Sequence, residues 1–197
     1  MKKVGITGGI GSGKSTVSQA FQSLGIPIYC SDTRSKMLVA NDTRIISGLK
    51  KILGDNIYSS TGQLDKQRMA AEIFTDKTKL ERVNSLIHPI VNEDFALWAE
   101  QQKQNGAPYV INEAAIMIEN GSYKLLDHII IVTAPLELRI QRCIERDHAE
   151  RTAIEQRINN QMPENEKLSY ADDIIITDDR HFILPQILEI HERLKQK

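Results

Sequence analysis

The chain has 197 residues, 41% of them hydrophobic and 26% charged, which is typical of one globular domain with insertions rather than two independent domains. The net charge of −1 and the lack of a long basic run argue against a nucleic-acid partner, since phosphate neutralisation needs clustered Lys and Arg. We expect a cytoplasmic protein without a membrane partner, because no secretory signal or long apolar span occurs and the two cysteines lack metal-ligand spacing.

The first 30 residues are predicted to form a strand–helix–strand unit. The apolar run Lys3–Ile6 indicates a strand that leads into a glycine-rich turn. Lys14–Leu24 has apolar side chains at helical spacing, and Gly25 is placed to end that helix. Ile26–Cys30 is the second predicted strand.

Residues 31–105 show no convincing strand pattern and are predicted to be helical. Asp65 is placed to cap one helix, and Pro89 is predicted in the first turn of another that reaches past Trp98. The segment is much longer than one crossover requires. It is therefore predicted to be a substrate-binding insertion between two strands.

Three further strands are predicted, at Tyr109–Ile111, Ile129–Val132 and Ile174–Ile176, and a helix at the C-terminus. The β-branched run Ile129–Val132 is typical of a strand that is buried on both faces. Strands that alternate with helices predict a parallel sheet covered on both sides. The predicted fold class is α/β, a three-layer parallel five-stranded sheet.

The segment Gly8–Ser15 matches the phosphate-binding motif GxxxxGK[ST], and a strand precedes it and a helix follows. Glycines bring backbone N–H groups close to phosphate oxygens, and the helix N-terminus favours negative charge. Lys14 is expected to reach the β- and γ-phosphates of a bound nucleotide, and the Ser15 hydroxyl to bind Mg²⁺. The predicted nucleotide contacts are Gly9, Gly11, Ser12, Gly13, Lys14, Ser15 and Thr16.

The motif alone leaves kinase, GTPase, ATPase motor and regulator open. N-K-x-D, D-x-x-G and LSGGQ patterns are missing from the sequence, and the chain is small for a motor. A small phosphotransferase remains, and it needs a base for the acceptor hydroxyl. Asp32 follows the second predicted strand, at the sheet edge where ligands gather, so it is the predicted base. Helix capping and a water-mediated contact to Mg²⁺ are the other readings of Asp32.

Arginines after Pro135 are predicted to face the transferred phosphate. Arg139, Arg142 and Arg146 fall at i, i+3 and i+7, so they share one helix face. Residues 152–155 are predicted to be a capping box that opens the next helix of a lid. A solvated, salt-bridged face is the competing interpretation. A separate apolar stripe is predicted to dock on the sheet, formed by Leu136, Ile140 and Ile144.

Through these residues the chain resembles the dephospho-coenzyme A kinase family. The resemblance rests on Thr7–Thr16, Ser31-Asp32, Leu86–Ile90, Ile118-Glu119, Arg142–Asp147, Arg157–Gln161 and Ala171-Asp172.

The resemblance implies a P-loop kinase fold that phosphorylates the ribose 3′-hydroxyl of dephospho-coenzyme A with ATP. It implies Asp32 as base and Arg142 and Arg146 as phosphate-facing cations beside Lys14. The implied domains are a nucleotide core of residues 1–31, 106–144 and 168–197, an insertion of residues 32–105 and a lid of residues 145–167.

Two predicted substrate contacts keep a structural alternative. His88 either lies near the acceptor or caps a helix that ends before Pro89, and Glu119 either lines the acceptor pocket or caps a helix. Many family members carry proline at the position of Ala115 and asparagine near that of Thr177, where adenine is expected.

A kinase for another small acceptor, such as a nucleoside, nucleotide or sugar acid, is one alternative function. A nucleotide-binding regulatory module without turnover is another. The sequence leaves the oligomeric state open.

Overall fold

The structure is a computed structural model that describes residues 1–196, with the side chains of residues 74 and 75 outside the description. It divides into two compact units. One combines residues 1–30 with the chain from residue 98 onward, and the other is Ser31–Leu97. Within residues 1–196, no helix has the length and apolar character that crossing a membrane requires.

Five strands in the first unit form one sheet in the order β2-β3-β1-β4-β5, and every neighbouring pair is parallel. The prediction of a five-stranded parallel sheet is therefore confirmed. The strands are β1 Lys2–Thr7, β2 Ile28–Cys30, β3 Tyr109–Glu113, β4 His128–Thr133 and β5 Asp173–Ile176.

The helices follow one another in chain order around and between these strands. They are α1 Lys14–Ser23, α2 Ser31–Asn41, α3 Thr43–Leu53, α4 Lys66–Thr75, α5 Lys77–Gln104, α6 Leu136–Asp147, α7 Arg151–Asn159, α8 Glu164–Leu168 and α9 Ile183–Lys195.

Both faces of the sheet are buried, as the apolar run in β4 predicts. Successive side chains of a strand point to opposite faces. Ile130 and Val132 pack in a cluster with apolar residues of α1 and α9. Ile129 and Ile131 belong to a second cluster that includes Met117 and residues around α8. The sheet is thus the middle of three layers, and the carboxyl ends of its strands meet at one edge.

Ser31–Leu97 is built from helices with polar caps. The Asp65 side chain accepts a hydrogen bond from the backbone N–H of Arg68 (2.9 Å), so the predicted cap of α4 is confirmed. Asp42 caps α3 in the same way through the N–H of Arg44 (2.8 Å). Side chains spaced four residues apart on α3 form its buried stripe: Ile45, Leu49 and Leu53.

The prediction that a new helix starts at Pro89 is wrong. Pro89 lies inside the 28-residue helix α5, and His88 is consequently an interior helix residue rather than the last residue of a preceding helix. Proline cannot donate the helical hydrogen bond to the Ser85 carbonyl. Tertiary burial offsets that loss, since Ile87 and Ile90 on both sides of the proline are buried.

The predicted apolar stripe of α6 is also wrong, apart from Ile140. Leu136 is 51% exposed and Ile144 37% exposed, whereas Arg139 is 5% exposed and Cys143 is buried. The arginine tolerates burial because Glu164 and a backbone carbonyl bind its guanidinium. The buried face of α6 therefore includes Arg139 and Cys143 and differs from the face that the apolar pattern predicts, because the partners of Arg139 come from distant parts of the chain.

The predicted capping box at residues 152–155 is wrong as well. Helix α7 begins at Arg151, and its N-cap Glu150 makes no side-chain cap hydrogen bond. Arg151 instead binds Glu155 one turn later (2.7 Å) and Glu137 of α6 (2.8 Å). The pair with Glu137 links the first residue of α7 to α6, whereas the pair with Glu155 lies within α7.

Candidate active site

The turn between β1 and α1 has the backbone of a phosphate-binding loop. Gly11 and Gly13 have φ angles of 78° and 87°, in the left-handed region that favours glycine. The Ser12 N–H donates to the Gly9 carbonyl (3.1 Å) and closes the turn. A Cβ atom on Gly11 would lie 2.3 Å from the Arg139 carbonyl oxygen, so α6 packs directly against the loop.

Gly11→Ala is expected to destabilise the protein more than Gly121→Ala does. The two glycines have nearly equal φ angles, 78° and 76°, so both substitutions cost about 1–2 kcal/mol of backbone strain. Of the two, the Gly11 Cβ meets a backbone atom, whereas among the described residues no non-neighbouring atom lies within 4 Å of a Cβ on Gly121. Chemical denaturation of both variants measures the difference. Equal losses of unfolding free energy would contradict the close packing of loop and helix.

A cleft of about 390 Å³ opens at the loop. It brings together most of the predicted nucleotide contacts and the two arginines that the resemblance implies. Ser12 is fully buried beneath the cleft, and its Oγ has no hydrogen-bond partner within residues 1–196. The residues that line the cleft are Gly11, Gly13, Lys14, Ser15, Thr16, Arg142, Arg146, Thr177 and Ile183.

The Lys14 side chain lies folded over the loop. Its Nζ donates to the carbonyl oxygens of Gly8 (2.8 Å) and Gly9 (3.2 Å). The ammonium group therefore lies next to the backbone turn and at the wall of the cleft. A positive charge in this position can bind a phosphate by a short movement of a flexible side chain.

Glu113 is a site residue that the sequence reasoning missed. It ends β3, the strand beside β1, and its Oε1 accepts a hydrogen bond from Ser15 Oγ (3.2 Å). The available signal was an acidic residue two positions after the apolar run Tyr109–Ile111. That signal was weak, because the pairing of β3 with β1 is a tertiary fact that spacing alone does not give.

Arg142 joins the cleft to the chain segment after β5. Its guanidinium donates to the Thr177 hydroxyl (3.0 Å), the Thr177 carbonyl (2.8 Å) and Asp179 (2.8 Å). The Thr177 hydroxyl in turn donates to the Ser12 carbonyl (2.7 Å). Thr177 thus takes part in the site through side-chain contacts to both α6 and the loop.

Arg146 and Arg157 share one carboxylate, that of Asp147. Arg146 Nε lies 2.7 Å from Asp147 Oδ1, and Arg157 Nη1 lies 2.8 Å from Oδ2. The hydrogen bond from Arg146 is the main cause that lowers the pKa of Asp147 to about 2. The carboxylate stays ionised at neutral pH and orients two cations from α6 and α7 toward one point.

Glu119 has protein partners in this structure. Its Oε1 accepts hydrogen bonds from Lys167 Nζ (2.8 Å) and from the Met162 N–H (3.2 Å). Burial is the largest single influence and raises the pKa of Glu119, but the hydrogen bonds to the carboxylate and the positive charge of Lys167 together outweigh it, so the net pKa is lowered. The Lys167 side chain is only 1% exposed, so this ion pair anchors α8 below the sheet edge.

Two predicted site residues belong to the Ser31–Leu97 unit. Asp32 is exposed in the first turn of α2, where the helix dipole favours a negative charge. His88 lies in the middle of α5, and partial burial lowers its pKa below the usual value for histidine. A neutral imidazole is therefore the main form of His88 at neutral pH.

Solved structures of similar proteins share this architecture. A Thermus thermophilus protein superposes with a TM-score of 0.81 at 29% identity, covering 98% of this chain and 95% of that one. Dephospho-CoA kinase from Campylobacter jejuni gives 0.71 at 21% identity, with 98% and 97% covered. Shikimate kinase from Acinetobacter baumannii gives 0.56 at 14% identity, with 98% and 93% covered. The likenesses confirm the predicted P-loop kinase fold.

Sequence comparisons point to one family. Its model, for dephospho-CoA kinase, matches residues 2–181. A dephospho-CoA kinase of Bacteroides fragilis is 42% identical over 195 residues, 99% of this chain and 94% of that protein. A dephospho-CoA kinase of Porphyromonas gingivalis is 36% identical over 198 residues, with 100% and 96% covered. The resemblance seen in the sequence is thereby confirmed, and the chain belongs to the dephospho-CoA kinase family.

Proposed function

We propose that this protein transfers the γ-phosphoryl group of ATP to the ribose 3′-hydroxyl of dephospho-coenzyme A. One observation carries the proposal beyond family membership. The cleft places the phosphate loop, Lys14 and two arginines of α6 around a common space. Phosphoryl transfer depends mainly on positioning and on stabilising the charge of the transferred group, and this arrangement supplies cations for both.

Membership of a kinase family implies ATP as the nucleotide substrate, and we propose that the phosphates of ATP bind to the phosphate loop. Backbone N–H groups at the N-terminus of α1 lack intrahelical acceptors and can donate to phosphate oxygens. Lys14 would leave the carbonyl oxygens of Gly8 and Gly9 for the phosphates. Arg142 and Arg146 would compensate charge from the α6 side. The adenine would lie near Thr177, which lines the same cleft.

Mg²⁺ is proposed at Ser15. Ser15 lines the cleft, and its hydroxyl oxygen lies 3.2 Å from the Glu113 carboxylate. Oxygen is the ligand type that Mg²⁺ prefers. When bound with ATP, the ion would neutralise phosphate charge. Ser15 would hold it directly, and Glu113 would orient the water around it.

The acceptor side is assigned to the remaining predicted residues. We propose Asp32 as the base that accepts the proton of the 3′-hydroxyl, and His88 and Glu119 as contacts to dephospho-coenzyme A. Residues 32–105 would form the acceptor-binding insertion, and residues 145–167 a lid that excludes water during transfer. The cytoplasmic location and the lack of a nucleic-acid partner stay predictions from the sequence.

The test is acceptor-dependent ADP formation with ATP, Mg²⁺ and dephospho-coenzyme A, compared with adenosine, AMP and shikimate as acceptors. Of these acceptors, we expect only dephospho-coenzyme A to support turnover. ³¹P NMR should show a new 3′-phosphate on the product. Turnover only with another acceptor would keep the kinase and overturn the substrate. Tight ATP binding without turnover on any acceptor would favour a regulatory module.

A further inference from the structure

Arg139 has a different position from the other two arginines of its helix. Arg142 and Arg146 line the cleft, whereas Arg139 is 5% exposed and lies behind the phosphate loop. Its Nε donates to the carbonyl oxygen of Ile10 at the tip of the loop (3.0 Å). A Cβ atom on Gly9 would lie 2.0 Å from Arg139 Nη2, so the guanidinium is in direct contact with the loop backbone.

Glu164 holds the guanidinium in place. Arg139 Nη1 donates to Glu164 Oε2 (2.7 Å), and the hydroxyl of Thr133 at the end of β4 donates to Oε1 (2.6 Å). Both carboxylate oxygens are therefore occupied, one by the arginine and one by the sheet. The Arg139 side chain is 6% exposed and the Glu164 side chain 29% exposed. Bonds from Arg139 Nε and Nη1 and to both Glu164 oxygens therefore restrict the guanidinium to one orientation against the loop.

Ile10 is bound at its other backbone group too. Its N–H donates to Gln161 Oε1 (2.8 Å), in the segment between α7 and α8. Its side chain packs on the apolar cluster of Ile140, Cys143 and Ile154. The tip of the loop is thus fixed through N–H, carbonyl and side chain, by groups that all lie on the side away from the cleft.

We infer that Arg139, held by Glu164, is a positioning residue that sets the phosphate loop in its nucleotide-binding conformation. The hydrogen bond to the Ile10 carbonyl fixes the orientation of the peptide groups that follow Ile10. The N–H groups of those peptides would donate to the phosphates. Arg139 touches neither nucleotide nor acceptor in this role. The inference rests on the proposed placement of ATP on the loop and is independent of the acceptor.

The first experiment compares ADP with adenosine, which shares the base and ribose but has no phosphate. In Arg139→Met the dissociation constant for ADP, measured by calorimetry, is expected to rise roughly tenfold, about the value of one hydrogen bond to a charged group. Adenosine binding should change less than about twofold, because it does not use the loop. Arg193→Met is the matched control, since Arg193 is an exposed arginine whose ion pair with Asp173 lies away from the loop.

The double variant Arg139→Met/Glu164→Gln separates positioning from stability. It removes both charges, so no unpaired ion is left buried, and the thermal midpoint is expected to recover toward that of wild type. ADP affinity should stay low, because Ile10 has still lost its donor. Recovery of ADP affinity together with stability would overturn the inference, as would an equal loss of adenosine binding in Arg139→Met.

Gly9→Ala provides a second test in which Arg139 itself is not substituted. The three atoms nearest to the new methyl group would all belong to the Arg139 guanidinium, at 2.0–3.0 Å, so we expect the methyl group to displace it from Ile10 and Glu164. Gly9→Ala is expected to weaken ADP binding as much as Arg139→Met, and the two changes combined should be no worse than either. If the two substitutions together raised the dissociation constant for ADP on the order of a hundredfold, their effects would be independent and the inference would be contradicted. Wild-type protein that binds ADP no better than adenosine would instead refute the nucleotide site.

Discussion

Asp32→Asn is expected to lower kcat for dephospho-coenzyme A by about 10²–10⁴-fold, the contribution of a placed general base. Asparagine keeps the size and hydrogen-bonding capacity of the side chain but cannot take up the proton of the acceptor hydroxyl. The N-terminal turn of α2 leaves Asp32 exposed, so the folded structure should tolerate the change. Coupled ADP-release kinetics measure the loss, and calorimetry should give an unchanged ATP affinity.

The matched control for Asp32 is Asp55→Asn, an exposed aspartate of the same unit. It should retain wild-type kcat and thermal stability. If Asp32→Asn kept more than about a tenth of the activity, the assignment of the base would be wrong. Glu113, the carboxylate that binds the Ser15 hydroxyl, would then be the next residue to replace.

Lys14→Met is the second substitution with a large expected effect. It removes the ammonium group next to the loop while keeping an unbranched side chain of similar length. Loss of one fixed donor to the transferred group costs about 10²–10³-fold in kcat. ATP affinity should fall as well, since Lys14 would also bind phosphate before transfer. Lys14→Arg should not restore activity, because a planar fork cannot replace a compact point charge in the turn.

Lys103→Met controls for the loss of a positive charge. Lys103 lies near the end of α5, and its exposed pair with Glu100 has an N–O distance of 3.6 Å, so it contributes little. Its kcat and ATP affinity should match wild type. A Lys14→Met protein with wild-type kinetics would refute the nucleotide site itself, whereas a kcat loss without a change in ATP affinity would restrict Lys14 to the transition state.

The two groups of charged side chains near the loop have different roles. Lys14, Arg142 and Arg146 line the cleft and bind partners that a phosphate can replace. Arg139 lies behind the loop and forms an ion pair with Glu164, and both carboxylate oxygens of Glu164 accept hydrogen bonds. In the proposed function, the first group would supply charge to the substrate, and Arg139 with Glu164 would fix the backbone that receives the phosphates.

Local chemistry made several features readable from the sequence alone. The loop Gly8–Ser15 was identifiable because positive φ angles and close phosphate approach require glycines at fixed spacing. The β4 strand was readable because burial on both faces needs a continuous apolar run. The cap at Asp65 depended only on a side chain and the N–H groups a few residues later. All three are determined within about ten residues of chain.

The tertiary structure alone decided the features that depend on distant partners. Arg139 is buried because Glu164 and Ile10 satisfy its guanidinium, so its place in the arginine spacing did not reveal its position. Glu113 reaches Ser15 because β3 pairs with β1. Pro89 stays inside α5 because packing on both sides offsets a missing hydrogen bond. The sequence by itself determined the strands and the phosphate loop. Long-range burial, strand pairing and ion pairing decided the order of the strands and how the loop is held.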